Sequence, residues 1–559
     1  MNNRTRIDAL LLAGFCAFLF FYGLGQFGLV GADEPRYAQV AREMLERRDW
    51  ITPVLGGQPW LEKPPLYYWQ AMLSYSLYGV SDAAARVPSA FDATLLVLAV
   101  YFFLRRFRPG VELDGALITA SCAAVIGYAR AAATDMPLAS TFSIGMLAWW
   151  AWRESGKRVY LAAFYFFMAL GMLAKGPVAP FLAALIIALY AAGARELRVI
   201  GKTLWLPGVA LFCVISLPWY FAAQMRNPEF FRVFFLQHNL ERFSSNLYHH
   251  HAPFWYYLPV ALLALVPWTV FAVAALLEAA RLWWTERFAA AKVDYEIQFR
   301  SFLLLWLIVP VAFFSISQSK LPGYILPAVP AGALLLADYL RQHLEQENAG
   351  ATAKWMIVLH ALLAAVGIVP ALLIGYLATA HRLPGGRPMF GALAVSFVLA
   401  AGVALTLAGR AGLRMLRFVT LIPVVLTVAA VLKIGSASLD QTLSARPLAR
   451  EIASVETHVL PLAVQGVRRE VEYGLGFYRN QVIVRYERDR VPAEEHLLVV
   501  PENSQEEVAK QLGGRRVLLL GHFIPQHVDY YWVSAVSSPA RSERRQSDKL
   551  DRAEASPRS

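Results

Sequence analysis

Acids and bases recur in this chain at the ends of long apolar runs, where charge is costly unless it has a task. Asp33-Glu34-Pro35-Arg36-Tyr37 follows the first run, and Leu61-Glu62-Lys63-Pro64-Pro65 precedes the next. Thr134-Asp135, Lys175-Gly176-Pro177, Arg242 and Ser319-Lys320-Leu321-Pro322-Gly323-Tyr324 stand at later ones. The cations Arg36, Lys63, Lys175, Arg242 and Lys320 suit an anionic group such as a phosphate, and can stabilise charge that develops on a departing oxyanion. Asp33 can act as a general base, can stabilise cationic character at a reacting carbon, or can hold an amino or hydroxyl group. Asp33, Lys63 and Asp135 form the candidate catalytic set. Glu34, Arg36, Tyr37, Glu62, Lys175, Arg242, Lys320 and Tyr324 are the candidate binding set. Plainer roles stand beside these: Asp33 and Asp135 as helix N-caps, Glu62-Lys63 as a solvated turn, and Lys175 and Lys320 as snorkelling residues at helix ends. Glu62 with His249, His250 and His251 is a candidate zinc set, with histidines near lipid headgroups as the alternative.

The elements that position these residues are membrane spans. A 559-residue chain that is 57% hydrophobic and only 16% charged is too apolar for an ordinary soluble enzyme. Its apolar runs predict about thirteen spanning helices, each of about 20 residues. They fall near 7–27, 82–104, 112–129, 136–152, 159–174, 177–194, 203–223, 254–278, 300–316, 322–340, 355–378, 388–408 and 415–434. Basic residues such as Arg105-Arg106, Lys157-Arg158, Arg195 with Arg198, and Arg410 with Arg414 fill alternate connections, which predicts a cytoplasmic amino terminus. The acids and bases above then converge on the external side. A cleavable signal peptide ending near Ala32 is the rival reading of the first run. The three cysteines, Cys16, Cys122 and Cys213, fall in predicted spans and read as packing residues. The net charge of +12 suits anionic lipid.

From about residue 435 charges become frequent and apolar runs shrink to strand length. The expected organisation is a transmembrane domain over 1–434 with external loops 28–81 and 224–252, a small soluble α/β domain over 435–537 and a disordered tail over 538–559. In the second loop, Asn227-Pro228-Glu229 followed by four phenylalanines predicts either an interfacial helix or a buried connector.

Asp33-Glu34-Pro35-Arg36-Tyr37-Ala38, Arg42-Glu43-Met44, Asp49-Trp50, Glu62-Lys63-Pro64-Pro65-Leu66, Thr134-Asp135-Met136-Pro137, Ala174-Lys175-Gly176-Pro177, Arg242-Phe243 and Lys320-Leu321-Pro322 together resemble the lipid A 4-amino-4-deoxy-L-arabinose transferases. These belong to the protein O-mannosyltransferase-like group of polyprenyl-phosphate-sugar glycosyltransferases. The resemblance implies a GT-C fold and transfer of aminoarabinose from undecaprenyl phosphate to lipid A phosphates at the periplasmic face of the bacterial inner membrane, giving resistance to polymyxin and cationic peptides. It implies Asp33 as the principal carboxylate and Lys63 as the phosphate ligand. No nucleic-acid partner and no firm cofactor are expected, zinc remaining a candidate, and a monomer is expected. Relatives that move other sugars share the same blocks, so a protein O-mannosyltransferase-like activity stays open. A polyisoprenoid flippase is the alternative of another class; it would need deep ionisable groups, for which Asp92 is the main candidate, and paired broken helices in two related halves, whereas the sequence shows no inverted repeat.

Overall fold

The computed structural model describes residues 3–241, 252–286, 295–345, 356, 359–360, 362–364 and 416–536. The expected span at 388–408, nearly all of that at 355–378, and the tail from 538 lie outside the described residues. The chain divides into two compact units, Met1–Gly28 with Arg36–Leu439, and Leu29–Pro35 with Asp440–Ser559. The second unit thus takes in a short piece of the first connecting loop, which the sequence places wholly with the membrane domain.

The first unit is helical. Among the described residues, five helices are long and apolar enough to cross a membrane, or up to eight if each bent pair is one span. Helix α1 (Asn3–Cys16) leads to α2 (Asp33–Arg47), α3 (Leu66–Tyr78) and α4 (Asp82–Phe107). The helix α2 is followed by a hairpin of β1 (Val54–Leu55) and β2 (Gln58–Pro59). Gly56 and Gly57 form its turn with φ +59° and +79°, the left-handed pair that a two-residue hairpin requires. The Glu43 carboxylate on α2 accepts from both glycine amides, at 2.8 and 3.1 Å.

Among the described residues, two predicted spans prove to be broken. The run 112–129 forms α5 (Glu112–Ser121) and α6 (Ala123–Ala129), bent by 65°, and Phe254–Ala264 turns by 117° into Thr269–Thr285. The breaks satisfy one another: Ala123 N–H donates to Val266 O at 2.8 Å, and Trp268 Nε1 donates to Ser121 Oγ at 2.8 Å. Backbone freed by a broken helix survives in an apolar setting only when protein groups take it up in this way. Hydrophobic patterning has no term for such a partner, so it predicts straight spans.

Helices α7 (Asp135–Ser155), α8 (Arg158–Lys175), α9 (Val178–Gly193), α10 (Arg198–Thr203) and α11 (Leu206–Arg226) follow. An aromatic cluster anchors them to Tyr295–Ile316: Trp150 and Trp149 stack on Phe302 at 5.0 and 5.3 Å. Such pairs contribute roughly 0.5–1.5 kcal/mol each beyond simple burial. Beyond α11 the phenylalanine-rich segment divides its faces. Phe230 and Phe234 are buried against Trp219 and Tyr220, whereas Phe231 is 56% exposed.

The second unit is an α/β domain with a five-stranded sheet in the order β4-β3-β5-β7-β6. Strand β3 (Leu462–Val464) lies parallel to β4 (Val484–Arg485) and β5 (His496–Pro501), while β7 (Val528–Val533) lies antiparallel to β5 and β6 (Val517–Phe523). Helix Arg469–Arg479 is fixed by a bidentate pair between Arg479 and Glu456, at 2.8 Å for each bond. His496 is fully buried, its Nδ1 2.8 Å from Glu494 O and its Nε2 against the Tyr486 hydroxyl.

Burial holds the His496 imidazole below its ordinary range, with Arg515 acting in the same direction. The unfolded chain therefore binds a proton that the fold refuses. The contribution to stability is full above the ordinary histidine pKa of about 6.5 and is lost as pH falls through it. Corrected amide-exchange protection of β5 and β7 should fall from pH 7.5 to 5.5 in the parent and much less in His496→Gln. Equal pH dependence in both proteins would refute this.

Candidate active site

Asp33 and Glu34 form the first turn of α2, where acidic side chains complement the helix dipole. Asp33 is the first helical residue, so the expected N-cap role gives way to a place inside the turn. Its side chain is exposed, whereas Glu34 is buried and its Oε2 accepts from Val30 N–H at 2.7 Å.

In the membrane unit, Arg36 lies 5.0 Å from the Tyr37 ring and 5.2 Å from the Trp60 ring. Aromatic faces of this kind hold a guanidinium plane in place. Tyr37 is buried and packs 6.2 Å from both Tyr67 and Tyr68. Glu62 and Lys63 occupy a turn before α3; Lys63 is buried, and its Nζ donates to Glu62 O at 3.2 Å. The expected solvated turn is therefore not what forms at Lys63.

The best-defined group follows from one hairpin. Helices α7 and α8 have 21 and 18 residues, joined at Gly156 with φ +69° and Lys157. At 1.5 Å per residue they run about 31 and 27 Å, so the start of α7 returns to the level of the end of α8. Asp135 opens α7 and Lys175 closes α8, and Lys175 Nζ meets Asp135 Oδ1 at 2.6 Å. Each charge also sits at the helix end that favours it. Lys175 lies 5.2 Å from the Tyr324 ring. Snorkelling and simple capping do not describe this pair, because both side chains are 15–17% exposed and bound to one another.

Tyr324 arrives on the 3₁₀ segment Pro322–Ala328. Tyr257 fixes its approach, donating to Leu321 O and accepting from Leu321 N–H, both at 3.1 Å. Lys320 is buried and its ammonium donates to Ser317 O. Gly323 is set so close that a Cβ there would stand 2.4 Å from Asp135 Oδ1 and 2.8 Å from the Tyr128 hydroxyl. Sequence patterning gave no signal for Trp60, Tyr128 or Tyr257, and none for the close approach at Gly323. Arg242, His249, His250 and His251 lie outside the described residues. Of the candidate zinc set only Glu62 is described, and no metal-like group of three His, Cys, Asp or Glu gathers among the described residues.

The chain is 30% identical over 409 residues to the undecaprenyl phosphate-alpha-4-amino-4-deoxy-L-arabinose arabinosyl transferase 1 of Pseudomonas fluorescens strain Pf0-1, covering 72% of this chain and 68% of that one. It belongs to the family of these arabinosyl transferases. The like-named protein of Pseudomonas paraeruginosa strain PA7 is 33% identical over 355 residues, a match that spans 62% of each chain and so less than two thirds of that relative's length. Residues 7–234 match the family described as dolichyl-phosphate-mannose-protein mannosyltransferase. The crystal structure of ArnT from Cupriavidus metallidurans bound to undecaprenyl phosphate superposes with a TM-score of 0.74 at 23% identity, covering 95% of this chain and 98% of that one. The fold is thus the expected GT-C fold with a small carboxyl-terminal sheet domain.

Because the nearest atom to a new methyl at Gly323 is the end of the Asp135 side chain, Gly323→Ala should displace that carboxylate rather than unfold the chain. The variant should melt within a few degrees of the parent. Lys175, released from its partner, should be acylated about three- to tenfold faster in a timed amine-labelling experiment read by mass spectrometry. An unchanged labelling rate would show that Asp135 accommodates the methyl without releasing Lys175.

Proposed function

We propose that the protein transfers 4-amino-4-deoxy-L-arabinose from undecaprenyl phosphate to lipid A phosphate groups at the periplasmic face of the bacterial inner membrane, which would confer resistance to polymyxin and cationic peptides. The reading is carried by the Asp135–Lys175–Tyr324 group, assembled from three separate connections, in a chain whose relatives bear the aminoarabinosyl transferase name. An acceptor phosphate oxygen attacks the anomeric carbon of the sugar. The bond from that carbon to the donor phosphate breaks, and the electron pair leaves with undecaprenyl phosphate. The acceptor is already ionised near neutral pH, so no base is needed for it, and Asp33 serves to stabilise cationic character at the sugar and to orient it.

Lys63 is assigned to the donor phosphate, and so is Arg36, a planar fork held by Tyr37 and Trp60. Asp135 holds the Lys175 ammonium beside the Tyr324 ring. Glu34, Glu62, Lys320 and Arg242 complete the assigned binding set. The match of residues 7–234 to the mannosyltransferase family favours one second reading, transfer of a polyprenyl-linked sugar to protein hydroxyls. Mass spectrometry of lipid A from cells with and without the gene separates the two: only the first adds aminoarabinose to the lipid.

With purified protein, undecaprenyl-phosphate aminoarabinose and lipid A, Asp33→Asn should lose at least about a hundredfold in turnover while folding normally. Lys63→Ala should fail similarly and need not be rescued by arginine, whose geometry differs. Full activity in Asp33→Asn would remove the catalytic assignment. The external placement of the carboxyl-terminal domain has its own check in reporter fusions after Arg417 and after Leu432, which should report opposite sides of the membrane; agreement between them would refute the one-sided site.

A further inference from the structure

The segment Leu29–Pro35, which carries Asp33 and Glu34, belongs to the same compact unit as the carboxyl-terminal domain, although more than 400 residues separate them in sequence. Three consecutive amides of this segment are taken up, two of them by that domain. Leu29 N–H donates to the Tyr478 hydroxyl at 2.6 Å, and Gly31 N–H points to Leu443 O at 3.4 Å. Val30 N–H donates to Glu34 Oε2 at 2.7 Å, which closes the segment on its own helix. Gly31 adopts a left-handed φ of +67°, so the chain turns sharply at its second attachment.

The anchor itself is stiff. Tyr478 lies in the last turn of helix Arg469–Arg479, between buried Phe477 and Arg479, which is locked to Glu456. Its hydroxyl also lies 3.4 Å from Ser444 Oγ, next to the Leu443 carbonyl that faces Gly31. The domain thus takes up amides four and two residues before the carboxylate pair. A site built on a loop needs such support, since small displacements of a reacting group cost large factors in rate.

We propose that Tyr478 is a positioning residue for the sugar transfer, its hydroxyl fixing the segment that presents Asp33 and Glu34. The inference rests on the reading of Asp33 as a catalytic carboxylate. The carboxyl-terminal domain then fixes this segment of its own unit rather than standing as an appendage.

Tyr478→Phe removes the hydroxyl and keeps the ring. In the full-length protein in nanodiscs, amide exchange of the peptide containing Leu29–Gly31 should rise about tenfold or more, with protection of β5 unchanged as the control for folding. The kcat should fall about five- to twentyfold with the KM for undecaprenyl-phosphate aminoarabinose within about twofold, because an orienting group acts in the transition state. The double variant Asp33→Asn/Tyr478→Phe should be no slower than Asp33→Asn alone, since one residue acts through the other. Unchanged exchange at Leu29–Gly31, an unchanged kcat, or additive losses in the double variant would each overturn the proposal. Full activity of Asp33→Asn alone would instead defeat the catalytic reading of that carboxylate, and the exchange result would still decide whether Tyr478 anchors the segment.

Discussion

The membrane unit depends on a buried guanidinium. Arg86 on α4 is 1% exposed, and it donates to Leu24 O and Phe27 O at 2.7 and 2.9 Å and to Gly28 O at 2.8 Å. Its guanidinium also lies 4.6 Å from the Phe27 ring. These carbonyls belong to the chain that leaves the first helix, where backbone acceptors have no helical partner of their own. Each buried acceptor left without a donor would cost about 1–3 kcal/mol. A planar cation with five donors serves three of them at once, and no apolar residue of similar volume could. The exit of the first helix is thereby fixed immediately before the segment that carries Asp33.

From there the chain passes between two kinds of support. Residues 24–28 are held by α4 through Arg86, and Leu29 is held by the carboxyl-terminal unit through Tyr478. The rest of α2 returns to the membrane unit, where Tyr75 donates to Ala38 O at 3.2 Å and Tyr67 donates to Ala85 O at 2.8 Å. Tyrosines on α3 thus tie α2 and α4 together with hydroxyls that apolar helices lack. The carboxylates sit on backbone that other parts of the chain fix at short intervals.

Much of this was legible in residue types and little of it in pairings. Asp135 and Lys175 were visible as charges at helix ends, and their meeting was not, because capping and snorkelling predict the same letters. Their partnership becomes visible only when helix length and the Gly156 turn bring the two ends level. Arg86 carried no signal, since a single arginine four residues into a helix looks like any other polar residue near a boundary. Strand β7 escaped the sequence reading although Val528-Asp-Tyr-Tyr-Trp-Val is β-prone. It lies inside the sheet between β5 and β6 and is buried, and its Asp529 argues against burial until His522 of the neighbouring strand is seen 2.6 Å away. The two helix breaks escaped for the same reason, their compensating bonds being supplied by residues more than a hundred positions away.

The α7–α8 hairpin has a further consequence. Each added or deleted residue in an α-helix advances its end by about 1.5 Å and rotates it by about 100°. A single insertion anywhere in α7 or α8 would therefore swing Asp135 or Lys175 away from the other even if every contact elsewhere were kept. The hairpin works as a ruler: side chains along it are free to vary where packing allows, and its count of residues is not.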